Sequence, residues 1–85
     1  MPSKHELVEK AKLLEPILRI GKSGLTEGVI KEIKVQLKQN KLIKIKLLKG
    51  ALVEKDRKTL AKEIAEKTNS ELIHQVGFVV VLYKK

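Results

Sequence analysis

Eighty-five residues leave room for one hydrophobic core, and a chain this short buries only roughly 60–65% of its unfolded surface. Nineteen Lys and Arg against ten Asp and Glu set a net charge of +9, while 42% hydrophobic residues exclude a disordered basic tail. Without cysteine there is neither a disulfide nor a thiolate metal site, which fits a reducing compartment.

Met1-Pro2-Ser3 leads into charge rather than an apolar segment, so no secretory leader is expected. The longest apolar run, Phe78 to Tyr83, falls far short of the roughly 20 residues that span a bilayer. The expectation is a cytoplasmic domain covering 1–85, monomeric because no long apolar stripe is left over.

Ser3 and Glu6 have the spacing of a capping box, and Leu7, Val8, Ala11 and Leu14 recur at helical intervals. This predicts a first helix over Lys4–Leu14, stopped by Pro16. Ile17 to Ile20 reads as a short strand ended by Gly21, and Gly21-Lys22-Ser23-Gly24 as a tight loop. Thr26 caps a second helix with Glu27 at its positive end; Ile30, Ile33 and Leu37, widened by Val29, form its buried stripe to about Asn40.

Leu42 to Leu48 alternates, with Ile43, Ile45 and Leu47 on one face and Lys44 and Lys46 on the other. Beyond Gly50, Asp56 caps a third helix with Leu60, Ala61, Ile64 and Ala65 inward, ended by Asn69 and Ser70. Leu72–Val76 and Phe78–Tyr83 are two directly joined strands, hence antiparallel, around Gly77. The order α-β-α-β-α-β-β gives an α/β fold, a mixed four-stranded sheet with helices packed on it; strand order does not follow from the pattern.

Little here supports catalysis. His5 and His74 stand far apart with no thiol, and no His/carboxylate group has metal-ligand spacing, so no enzyme, cofactor, metal or small-molecule substrate is expected. The charge points instead to a polyanion, and it is uneven: residues 1–50 hold 12 basic and 5 acidic side chains, residues 51–85 hold 7 and 5. Lysine on a solvated surface is the plain alternative.

The loop Gly21-Lys22-Ser23-Gly24 says more. Its glycines let the backbone turn sharply and approach a ligand, the following helix aims unpaired N–H groups at it, and Lys22 and Ser23 add charge and a hydroxyl. Neither the nucleotide P-loop spacing nor the dinucleotide fingerprint is present, and a plain strand-to-helix turn is the alternative. Arg19 beside the loop, with Lys44 and Lys46, would make a basic surface if the two strands are neighbours; Lys84 joins it only if the last strand ends on that side. Thr26 at the helix start belongs to the same candidate set. The aromatics are Phe78 and Tyr83 alone; Phe78 is expected in the core, so recognition should lean on phosphates and shape rather than stacked bases.

Taken together, Gly21 to Val29, Leu42 to Lys46 and Gln75 to Lys84 resemble the CRM domain (chloroplast RNA splicing and ribosome maturation), in its stand-alone YhbY-like form. The resemblance covers nearly the whole chain. It implies an RNA-binding fold similar to the C-terminal domain of translation initiation factor 3 with an added N-terminal helix. It also implies association with large ribosomal subunit precursors and RNA contact at Gly21–Gly24. Gly28 belongs to the family pattern, although glycine in a helix costs about 1 kcal/mol relative to alanine; close helix–sheet packing would account for it. Phe78 stands where relatives often carry a polar or basic residue, and Tyr83-Lys84 replaces the usual Tyr-Arg. The expected RNA-binding residues are Arg19, Gly21, Lys22, Ser23, Gly24, Thr26, Lys44, Lys46 and Lys84. The expected function is binding of structured ribosomal RNA during large-subunit assembly. Alternatives are a general nucleic-acid binder, an intron-splicing accessory protein, or a ribosomal component held by protein contacts.

Overall fold

Each of the three helices begins on the residue that the sequence offers as its cap. In the structure, a computed structural model that describes residues 3–52 and 56–85, Ser3 Oγ accepts from the Glu6 amide and opens α1 (Lys4–Ala11). Thr26 Oγ1 accepts from Val29 N and opens α2 (Glu27–Asn40). Asp56 Oδ1 accepts from Thr59 N at 2.7 Å and opens α3 (Arg57–Lys67). Each side chain satisfies an amide that the helix itself leaves unpaired. Met1 and Pro2, the start of the stretch read as lacking a leader, lie outside the described residues.

The strands are β1 (Leu18–Ile20), β2 (Leu42–Leu47), β3 (Ser70–Val76) and β4 (Val79–Lys84), arranged β1-β2-β4-β3. β1 and β2 are parallel, joined by α2; the pairs β2–β4 and β4–β3 are antiparallel. A single turn of 3-10 helix, Lys49–Leu52, follows β2.

Alternation divides the sheet into two faces. Ile20, Ile43, Ile45, Leu47, Val80 and Leu82 pack against Ile33 and Leu37 of α2 and Leu60, Ala61 and Ile64 of α3. On the opposite face α1 contributes Leu7 and Ala11 to a smaller cluster with Ile73 and Val81. The result is three layers, with one helix on one side and two on the other.

Three local readings need correction, and one further feature is not readable from the pattern. α1 ends at Ala11, not Leu14, because the chain tightens into i→i+3 bonds (Leu13 N to Lys10 O, Leu14 N to Ala11 O), leaving Leu13 87% exposed. Ser70 does not end α3 but starts β3, its hydroxyl 2.8 Å from that of buried Thr68. The hairpin turn is the pair Gly77-Phe78, since Val76 faces Val79 and Gly77 takes φ +56. Glycine with positive φ at the first central position is the requirement of a type II′ hairpin. Finally, β3 carries a bulge: Leu72 faces Leu82 and His74 faces Val81, so Ile73 is an extra residue.

Candidate nucleic-acid interface

Because β1 and β2 are parallel and β4 runs against them, one end of the sheet collects three exits. These are the loop Gly21–Gly24 after β1, the turn Lys49–Leu52 after β2, and the hairpin tip Gly77-Phe78 before β4. Two bonds lock them: Leu48 N donates to Ile20 O at 2.8 Å, and Leu47 N to Phe78 O at 2.6 Å.

The glycine loop is a closed turn, with Gly24 N donating to Gly21 O at 2.9 Å and Lys22 and Ser23 exposed at its tip. Gly24 has φ +67 and empty space where a Cβ would sit, so backbone conformation alone demands glycine there. Behind the loop lies Gly50. A Cβ on Gly50 would stand 3.1–3.3 Å from the N, Cα and Cβ of Lys22, so the turn after β2 supports the loop at backbone distance.

Thr26 N donates to Gly24 O at 3.2 Å, which fixes the loop to the start of α2. The first amides of α2 therefore face the loop's end, where a helix favours negative charge. Gly28 lies in this turn and is exposed; the nearest atom to a Cβ there would be Thr26 Oγ1, at an ordinary 3.8 Å. Close helix–sheet packing thus does not account for Gly28.

Of the expected cations, the structure brings some together and separates others. Arg19 and Lys46 are register partners on adjacent strands and both are exposed, one residue short of the loop end. Exposed Lys49 lies on the supporting turn. Lys44 is elsewhere: half-buried beneath α1, its Nζ donates to the carbonyls of Ala11 and Leu14, both at 3.2 Å. The ammonium adds a second donor to the Ala11 carbonyl, which already accepts from Leu14 N, and reaches the Leu14 carbonyl just beyond the helix. Lys84 closes β4 at the opposite end of the sheet, roughly 17–20 Å away by strand rise. It borders a recess with Lys34, Lys38 and Lys85 instead. The expected single patch is therefore Arg19, Lys22 and Lys46 with Lys49 added, and Lys44 and Lys84 stand outside it.

Phe78 is not core. It remains 38% exposed, and the Arg57 guanidinium lies over its ring, 5.3 Å from the centroid. The sequence does not mark Arg57, and it marks Gly50 only as the break after β2. A glycine just after a strand was the available signal for Gly50; nothing local signals Arg57. Among the described residues no three His, Cys, Asp or Glu converge as metal ligands, and no helix is long and apolar enough to cross a membrane.

The fold and this sheet end define a small α/β module with a basic, glycine-bounded loop. The chain belongs to the CRS1/YhbY (CRM) domain family, whose model matches residues 2–84. Over 81 residues it is 41% identical to a Methanocaldococcus jannaschii protein named "Probable RNA-binding protein MJ0652", covering 95% of this chain and 60% of that one. It is 38% identical over 73 residues to the Pseudomonas aeruginosa "Probable RNA-binding protein PA4753", with 85% and 67% of the two chains covered. The chain thus spans about two thirds or less of these two relatives. The solution structure of the hypothetical protein SAV1595 from Staphylococcus aureus shares the fold, with TM-score 0.80 and 36% identity over 96% of this chain and 83% of that one.

Proposed function

We propose that this protein binds structured ribosomal RNA and acts in assembly of the large ribosomal subunit. The loop Gly21–Gly24 and the amino end of α2 grip phosphates, and Arg19, Lys46 and Lys49 hold the neighbouring backbone. One observation carries the RNA reading: the sheet end gathers a glycine turn, a helix amino end and these exposed cations, in a family whose relatives are named for RNA binding. The ribosomal assignment rests on the family resemblance, and the charge distribution supports a polyanionic partner.

The mechanism is electrostatic docking. Neutralising roughly four to six phosphates gives a log–log salt slope of around −3 to −5. In-cell crosslinking with RNA sequencing, comparing wild type with a folded Lys22→Glu, Ser23→Glu double variant, tests the reading. Discrete sites on large-subunit RNA that vanish in the variant are expected. Diffuse or unchanged crosslinks, or a flat salt response, would overturn it.

A further inference from the structure

The hairpin tip and the start of α3 meet at the same sheet end, and there the molecule holds a feature that phosphate binding does not use. Phe78 is an exposed aromatic ring beside a cationic surface, and the planar guanidinium of Arg57 lies over it at 5.3 Å. Arg57 is itself exposed, so this cation–π pair is open to solvent. Beside it is a recess of about 380 Å³ lined by Asp56, Arg57, Lys58, Gln75, Val76 and Gly77. That volume lies within the range of small-ligand clefts, roughly 300–1,000 Å³.

We infer that the Arg57–Phe78 pair and this recess receive an unpaired nucleobase of the RNA held by the glycine loop, the base stacking on the pair. The inference rests on the RNA reading above and adds a second contact of different chemistry. Guanidinium and aromatic planes both stack on bases, and such stacking tolerates any base because each presents a π-face. The charge balance suits an anionic strand. Among the described residues Arg57 and Lys58 outnumber the one lining carboxylate, Asp56, whose Oδ1 accepts from Thr59 N in capping α3. Gln75 donates its amide nitrogen to Gly77 O at 2.8 Å, which leaves the amide oxygen as an acceptor for a base edge.

Geometry links the two contacts. Phe78 precedes β4, whose neighbour β2 lies next to β1 and its loop; two strand spacings are roughly 10 Å. One strand of RNA can therefore hold its phosphates at the loop and turn an unstacked base onto the ring. The single exposed Arg–Phe pair replaces the two or three rings of an open-sheet RNA platform.

The test compares two fluorescein-labelled RNAs by anisotropy: a hairpin with a loop of unpaired adenines, and a blunt duplex of the same stem. Phe78→Leu removes the π-face, and Arg57→Lys keeps charge but loses the plane. Each is expected to weaken hairpin binding about five-fold or more, with duplex binding within about two-fold of wild type. Lys22→Glu should weaken both RNAs alike. Equal losses on both RNAs for Phe78→Leu, or none, would overturn the stack while leaving the loop reading intact. A silent Lys22→Glu, or wild type that binds neither RNA, would overturn the loop reading and the stack with it. Phe78→Trp supplies an independent readout, since the chain has no other tryptophan. Its emission should be quenched by the adenine-loop hairpin and not by the duplex; equal quenching would count against the stack.

Discussion

Gly50 and Lys22 meet back to back: a Cβ on Gly50 would stand 3.1 Å from the Lys22 nitrogen and 3.2 Å from its Cα. The crowded atoms are backbone, so they can relieve the contact only by moving the loop. Gly50→Ala is therefore expected to destabilise the protein by about 1–3 kcal/mol, the usual cost of overpacking. It should also weaken RNA binding although residue 50 need touch no RNA. Thermal melting and anisotropy check both arms; lower stability with unchanged affinity would separate loop position from binding.

Gly28 predicts the opposite sign of stability change. It sits exposed in the first turn of α2 with room for a methyl group. Gly28→Ala should raise stability by up to about 1 kcal/mol, as a rise in the urea midpoint. If RNA backbone approaches that turn, affinity falls in the same variant. A more stable protein with undiminished affinity would remove Gly28 from the interface.

Asp56 gives a pH dependence. The hydrogen bond from the Thr59 amide holds its carboxyl below the ordinary aspartate range, and the bond exists only in the folded chain. The unfolded state thus binds the proton first as pH falls. The stabilisation is complete above the ordinary aspartate pKa and disappears as pH drops through the lowered folded value. Urea midpoints measured from about pH 6 down to about pH 3 should fall less in Asp56→Asn, which caps α3 without a titrating group. Equal acid sensitivity would assign the effect to other carboxylates.

The junction of α3 and β3 offers a fourth expectation. Thr68 Oγ1 lies 2.7 Å from Ile64 O and 2.8 Å from Ser70 Oγ, with Thr68 and Ser70 both buried. Thr68→Val strands the Ser70 hydroxyl and should cost about 1–3 kcal/mol. The double variant Thr68→Val, Ser70→Ala should recover part of that loss in denaturant titrations. A purely additive cycle would show that the two hydroxyls do not depend on each other.

What the chain makes legible is what its neighbours in sequence determine. Ser3, Thr26 and Asp56 announce helix starts because a cap bonds three residues ahead. Asn69, which ends α3 at φ +51, is readable from its tolerance of left-handed backbone. The alternation of Ile43, Ile45 and Leu47 marks a buried face. Alternation cannot mark an inserted residue, so the bulge at Ile73 was invisible. Lys44 and Lys46 are equivalent by alternation, yet α1 covers one and leaves the other exposed. Lys84 needed the strand order, and the Arg57–Phe78 pair needed the hairpin and α3 to meet in space. The glycine loop stood out locally, but the support from Gly50 did not.

The lone helix on its side of the sheet has a consequence for how the molecule comes apart. α1 is fastened by Leu7 and Ala11 against Ile73 and Val81, and by the reach of Lys44 to the carbonyls of Ala11, its last residue, and of Leu14 beyond it. The opposite side carries the larger share of buried side chains. Opening free energies within one protein range from near zero to the global value, following local burial. Amides of α1 should accordingly exchange with deuterium sooner than those of β2 and β4, through a peeling motion that leaves the sheet intact. Lys44 then becomes a latch: Lys44→Met should hasten exchange in α1 alone, while protection at Ile45 and Val80 stays as it was.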